Sequence, residues 1–180
     1  MKFKVKDIGE DGVDVDLAIT PAWLAQQCAD LDLRPDPESR KSLGFKGRIE
    51  CTADDYLLRG KLNGGVLVPC ARCLEAARLP LDVDVSVVYV EHDDRGDSGE
   101  DDVDSLDAPD VLSFEDGTID LSPELRDEIM LAVPVSVLCR EDCMGLCPVC
   151  GGNRNTTPCD CAEKQQQSQS KFAVLAKLKS

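Results

Sequence analysis

The 180-residue chain has one histidine, one tryptophan and few aromatic residues of any kind, 4% in all. The lone histidine, His92, sits among acids and is expected at the surface, so no second imidazole exists to build a Cys–His nucleophile pair. No run approaches the roughly eighteen apolar residues of a membrane-spanning helix. The first ten residues, MKFKVKDIGE, lack the apolar core and small-residue cleavage site of a secretory signal, so the chain is expected in the cytoplasm. There is no glycine loop to cradle a phosphate and no EF-hand spacing among the acids. Cations are scarce too. Lys and Arg number 20 against 35 Asp and Glu, for a net charge of −15. That balance speaks against a free-standing nucleic-acid binder, whose phosphate contacts need Lys and Arg. With no catalytic constellation present, the chain is expected to be no enzyme, with neither a membrane nor a small-molecule substrate as its partner.

What the sequence does have in plenty is acid and sulfur. Ten acids between Glu91 and Asp110 face one base, Arg95, and this segment lacks periodicity; it reads as an acidic surface loop that attracts a basic partner. Six of the ten cysteines crowd into CREDCMGLCPVCGGNRNTTPCDC, Cys139 to Cys161, interleaved with Gly145, Pro148, Gly151, Gly152 and Pro158. So apolar-poor a stretch cannot fold by burial alone. Disulfides need an oxidising compartment, whereas thiolates held in Cys-x2-Cys turns converge on one tetrahedral ion, so zinc is the expected cofactor.

Eight cysteines form four close pairs: Cys70/Cys73, Cys139/Cys143, Cys147/Cys150 and Cys159/Cys161. The simplest partition puts Cys147, Cys150, Cys159 and Cys161 on a first zinc ion. It leaves Cys70, Cys73, Cys139 and Cys143 for a second, which would close a loop of some seventy residues. A competing partition puts Cys139, Cys143, Cys147 and Cys150 on one ion, and spacing alone does not exclude it. Cys70-Ala71-Arg72-Cys73 also has the form of a redox pair, but that use needs a helix N-terminus after a strand, and the pattern predicts strands on both sides of it. Cys28 and Cys51 read as ordinary small core residues.

The remaining pattern predicts an α+β fold: a mainly antiparallel sheet, two or three helices and a C-terminal cysteine-rich zinc segment. Val13 to Ile19 alternates as a strand. Thr20-Pro21 starts a helix running to Leu31. Arg34 to Ser42 is a Pro-rich loop and Leu43 to Thr52 a strand. Tyr56 to Val68, interrupted by Asn63-Gly64-Gly65, is either a hairpin or one bulged strand. Leu79 to Val90 alternates most clearly. Val111 to Phe114 and Ile119 to Leu121 flank a turn at Asp116-Gly117, and Ser122-Pro123-Glu124 opens a helix that Pro134 stops. The expected organisation is a core domain over 1–138 with the acidic loop at 91–110, a zinc-binding segment at 139–161, and at 162–180 a linker with a short basic amphipathic helix.

Four stretches then resemble the large ribosomal RNA subunit accumulation protein YceD family of bacteria and plastids. They are Val66-Leu67-Val68-Pro69-Cys70-Ala71-Arg72-Cys73; Ile119-Asp120-Leu121 followed by Glu128-Ile129-Met130-Leu131-Ala132-Val133-Pro134; the cluster from Cys139 with Gly145 to Gly151, Asn153, Asn155, Cys159 and Cys161; and Phe172-Ala173-Val174-Leu175-Ala176-Lys177-Leu178. Arg154 departs from the leucine usual in the family. The resemblance implies a non-enzymatic factor for 23S rRNA accumulation and large-subunit biogenesis. Given that role, the net charge of −15 points to a basic ribosomal protein or large-subunit assembly intermediate as the expected partner, with 23S rRNA reached indirectly. Two other classes compete: a zinc–thiol redox sensor, and a zinc-ribbon RNA-binding module built on Arg140, Arg154 and the Lys-bearing tail.

Overall fold

The computed structural model describes residues 1–52, 55–91 and 110–161. His92 with most of the acidic loop, and the C-terminal linker with its expected helix, lie outside the described residues. The described chain forms two compact units. The larger takes in Met1–Val68 and Arg78–Val135; the smaller takes in Pro69–Ala77 and residues from 136 onward.

The larger unit is α+β. In chain order it holds β1 (Lys2–Lys4), β2 (Val13–Ala18), α1 (Pro21–Gln27), β3 (Arg34–Pro35), β4 (Gly44–Thr52), β5 (Asp55–Pro69), β6 (Ala76–Glu91), β7 (Asp110–Phe114), β8 (Thr118–Asp120) and α2 (Ser122–Ala132). The main sheet runs β2-β4-β5-β6-β7, with β3 beside β5, while β1 and β8 form a separate two-stranded ladder. The pairs β2–β4, β4–β5, β3–β5 and β1–β8 are antiparallel, and β6–β7 is parallel.

Period-2 alternation decides which face is buried. Phe45 and Ile49 of β4, Leu58 and Leu62 of β5, and Leu81, Val85, Val87 and Tyr89 of β6 all point to the core. Phe45 shapes the sheet around itself. The cross-strand pair Gly47–Gly60 has no side chains, and a Cβ on Gly47 would stand 2.7 Å from Phe45 Cζ. The Asn63-Gly64-Gly65 interruption belongs to one long strand rather than a hairpin. Gly64, at φ +141°, packs against the backbone of Leu43, where a Cβ would come within 2.5 Å of Leu43 Cα. Pairing with β4 ends at Gly44–Asn63, and β3 takes over at Pro35–Val66 and Arg34–Leu67. So the expected Pro-rich loop carries a two-residue strand.

The first helix is shorter than its apolar spacing predicts. Thr20 Oγ1 caps it by accepting from Trp23 N at 3.2 Å, but the α-helical turns end at Gln27 and a 3-10 turn, Ala29–Leu31, follows. Asp30 and Asp32 at this end oppose the helix dipole, and Asp32 adopts φ +46°. At the start of the chain Lys2–Lys4 is extended and Val5–Asp7 is a 3-10 turn. Between β7 and β8, Asp116 and Gly117 both take positive φ, +54° and +59°, and Glu115 bridges Thr118, the geometry of a two-residue hairpin turn.

In α2, Leu125 and Ile129 are fully buried, and Arg126 Nε donates to the Gln27 carbonyl of α1 at 2.7 Å. Glu124 is buried as well. Burial first, then the charges of Glu128, Asp110 and Asp127, push its carboxyl up to about 7. Among the described residues no helix is long and apolar enough to cross a membrane.

Candidate metal centres

The described part of the smaller unit has almost no apolar interior. Among its described residues the buried apolar positions are Cys70, Cys73, Ala77, Cys143 and Cys147, so its inside is mostly sulfur. All ten cysteines are free thiols. Eight of them gather in two sets, Cys70/Cys73/Cys139/Cys143 and Cys147/Cys150/Cys159/Cys161, and within each set all four Sγ atoms lie within 4.8 Å of one another. The alternative grouping of Cys139 and Cys143 with Cys147 and Cys150 does not occur.

Two nearly identical turns present the sulfurs. In Cys70-Ala71-Arg72-Cys73-Leu74-Glu75, Leu74 N donates to Cys70 O at 3.0 Å, Cys70 N to Glu75 O at 2.8 Å, and Arg72 N to Cys70 Sγ at 3.5 Å. In Cys147-Pro148-Val149-Cys150-Gly151-Gly152, Gly151 N donates to Cys147 O at 2.8 Å, Cys147 N to Gly152 O at 2.8 Å, and Val149 N to Cys147 Sγ at 3.5 Å. The fifth residue of each turn has positive φ: +63° at Leu74 and +69° at Gly151. The stretch around Cys70 is thus the same knuckle as the one around Cys147, with a leucine where glycine is favoured. The sequence marks Cys70 and Cys73 as a close pair for a second ion, but Leu74 hides that they sit in the same form of knuckle as Cys147 and Cys150. The redox alternative loses its structural requirement, since a turn between β5 and β6, and no helix N-terminus, holds Cys70 and Cys73.

The rest of the smaller unit is tied to these knuckles by main-chain bonds. Ala71 N donates to Val137 O at 2.8 Å, Leu146 N to Arg72 O at 2.9 Å, and Arg154 N to Gly145 O at 3.0 Å. Gly145, at φ +70°, lies close against Arg72, where a Cβ would stand 2.9 Å from the carbonyl oxygen. Asn155, marked in the sequence only as part of the family-like pattern and given no role there because cysteine spacing does not point to one, is the hub. Its Oδ1 accepts from Met144 N at 2.8 Å and from Arg140 at 2.8 Å. Its Nδ2 donates to Cys143 Sγ at 3.3 Å and to Asn153 Oδ1 at 2.9 Å.

The sulfur geometry fits a tetrahedral thiophilic ion. Cys70 Sγ and Cys143 Sγ are 3.8 Å apart, and Cys73 Sγ and Cys139 Sγ 3.6 Å. The edge of a tetrahedron with Zn–S bonds of about 2.3 Å is about 3.8 Å; a disulfide would need about 2.05 Å. Thiol acidities divide within each set. Burial raises Cys70, but the Arg72, Cys139 and Cys73 amides outweigh it and bring the thiol down to about 6. The Cys150 and Val149 amides bring Cys147 down to about 6. Burial, with the neighbouring thiols, pushes Cys139 up to about 12, and the Cys150 and Cys159 thiols push Cys161 up to about 12. Four thiolates so close together repel, and a divalent cation at their centre would let all four ionise. Four sulfur ligands would close the coordination shell, leaving no position for substrate, so such a centre braces the chain.

The two sets differ in exposure. Cys70, Cys73 and Cys143 are buried and Cys139 half-buried, while in the other set Cys147 is buried, Cys150 exposed and Cys159 and Cys161 half-buried.

Residues 58–179 match the family described as large ribosomal RNA subunit accumulation protein YceD. The chain is 28% identical over 131 residues to the uncharacterized Mycobacterium tuberculosis protein Rv2926c, covering 73% of this chain and 59% of that protein. It is 28% identical over 134 residues to the uncharacterized Bacillus subtilis protein YlbN, covering 74% and 72%. It is 35% identical over 94 residues to the chloroplastic large ribosomal RNA subunit accumulation protein YCED homolog 1 of Zea mays, covering 48% and 32%. The chain therefore spans about 59% of the length of the mycobacterial relatives. No solved structure gives a significant match.

Proposed function

This chain belongs to the large ribosomal RNA subunit accumulation protein YceD family, and from that premise we propose that it is a cytoplasmic, non-enzymatic factor supporting 23S rRNA accumulation and large-subunit biogenesis. The observation that carries the reading is the family match itself, which extends over 58–179 and so takes in both cysteine sets.

In this reading each cysteine set holds one zinc ion. The ions brace a unit with too little apolar interior to hold itself, and the unit serves as a docking end. With a net charge of −15, the partner is a basic ribosomal protein or an assembly intermediate that presents one. Naked RNA is the weaker candidate for the same reason. Affinity purification from cells tests this. Ribosomal proteins are expected to remain bound after RNase treatment and to be released by raised salt. Release of every ribosomal protein by RNase would reject direct protein binding.

Exposure of Cys150 beside two half-buried thiols favours a second use of the same unit, zinc ejection on oxidation. Zinc release at low peroxide coupled to a change in partner binding would support it, and zinc retained under peroxide would remove it.

A further inference from the structure

Leu74 sits where it does at a cost on two counts. It holds φ +63°, a left-handed conformation that strains any residue with a Cβ, and its side chain is 67% exposed, so burial within the chain returns little. The turn does not require a leucine there. Gly151 takes the same position in the other knuckle at φ +69°, and a Cβ added to it would meet no atom within 4 Å. A strained, apolar residue that gains so little inside its own fold points to a contact outside it.

Leu74 is not alone. Among the described residues the smaller unit, for all its size, also exposes Met144, Leu146 and Val149. Leu146 emerges beside the Leu74 turn. Its N donates to the Arg72 carbonyl at 2.9 Å, and Asn153, with which it forms a β-bridge, donates from Nδ2 to Glu75 Oε1 at 3.4 Å. The charges of the unit say what kind of partner fits. Glu75, Glu141 and Asp160 are exposed and without an ion pair among the described residues. Of the described bases, Arg72 is committed to the Cys143 carbonyl at 3.0 Å and Arg140 to Asp142 at 3.3 Å, which leaves Arg154. Four thiolates around each zinc ion would add two further negative charges per ion.

We propose that the knuckle around Cys70 is the docking surface for a basic ribosomal protein, with Leu74 and Leu146 as its anchors. They receive apolar side chains of a segment whose lysines and arginines are drawn to Glu75 and the other unpaired acids of the unit. The inference rests on the ribosomal-protein reading above and adds to it the residues that make the contact. Docking gives the strained leucine a use, since the side chain that returns little in the free chain is buried in the complex.

The test offers the immobilised, zinc-loaded full chain the RNA-free total protein of the large ribosomal subunit and identifies what it retains by mass spectrometry. Leu74→Gly is the deciding variant. Relief of the left-handed strain is expected to raise its melting temperature, while retention of the ribosomal protein falls about tenfold. Lost binding in a better-folded protein cannot come from unfolding. Leu146→Ser is expected to weaken retention about fivefold, and Val111→Ser, an equally exposed apolar site in the larger unit, to leave it unchanged. Wild-type retention by Leu74→Gly overturns the proposal and leaves the ribosomal-protein reading standing, whereas a wild type that retains no ribosomal protein overturns both. A lower melting temperature in Leu74→Gly would also overturn it, since the leucine would then serve the fold. Two further results assign the surface to another occupant and so reject the proposal. One is wild-type self-association in sedimentation that Leu74→Gly abolishes, which points to a second copy. The other is a Met144 methyl NMR signal that moves in Leu175→Asp with no protein added, which points to the chain's own C-terminal segment.

Discussion

Replacing Asn155 with aspartate separates the bracing of the Cys70 set from the thiols themselves. The side chains share a shape, so the oxygen that accepts from Met144 N and Arg140 is retained. What is lost is the donor. The amide nitrogen that stood 3.3 Å from Cys143 Sγ and 2.9 Å from Asn153 Oδ1 becomes a carboxylate oxygen facing a sulfur and a carbonyl oxygen. A hydrogen bond to a charged acceptor contributes about 1.5–3 kcal/mol and a neutral one about 0.5–1.5 kcal/mol. Partial relaxation reduces the sum, and a net loss of about 2–3 kcal/mol corresponds to a drop of about 30- to 150-fold in zinc affinity. The effect should fall on one ion, because Asn155 bonds to Cys143 and to no sulfur of the Cys147 set. Competition with a chromophoric chelator reads this directly. The wild type is expected to yield two zinc equivalents, and Asn155→Asp to yield one of them at a much lower chelator concentration. Retention of both ions at wild-type affinity would refute the reasoning. Equal loss of both would show that the sets are one cooperative unit.

Leu74→Gly is expected to raise the thermal midpoint. It relieves a left-handed leucine at φ +63° costing about 1 kcal/mol, whereas Gly151→Ala, at φ +69°, should lower it by a similar amount. Gly60→Ala should destabilise the larger unit by about 2–4 kcal/mol in denaturant unfolding, because the added Cβ meets Phe45 Cζ and lies 2.6 Å from Gly47 Cα. Glu124→Gln tests the buried carboxyl. Its native pKa of about 7 lies above the unfolded value, so between about pH 4.5 and 7 the native state holds the extra proton and stability falls as pH rises. The wild type should lose up to about 3 kcal/mol over that window relative to the glutamine variant, and parallel stability–pH curves would show that Glu124 does not titrate as described.

Much of the fold was legible in the sequence because alternation acts locally. Val13 to Ala18 and the long run ending at Glu91 are strands because every second side chain is apolar, and that holds whichever strand lies beside them. Thr20-Pro21 announces a helix through a cap that involves only near neighbours, and Pro123 in the first turn of α2 is a start signal of the same local kind, although the N-cap Leu121 makes no side-chain cap hydrogen bond. The stop of α1 at Gln27 was not legible, since apolar spacing continues to Leu31 and the opposing acids give a weaker signal. Nor was the role of Asn63-Gly64, where a turn signal serves a close approach to Leu43 that only the folded sheet creates.

The site divides along the same line. Cysteine spacing by itself determined that short loops present eight sulfurs in pairs, because a Cys-x2-Cys turn needs no help from distant chain. Which pairs meet was left open by spacing. The tertiary structure decided it, through Ala71 bonding to Val137 and Leu146 to Arg72, which bring residues some seventy positions apart onto one set of sulfurs. Asn155 became a bracing residue and Leu74 the strained counterpart of Gly151 for the same reason. Each property belongs to what surrounds the side chain, and those surroundings exist only once distant segments have come together.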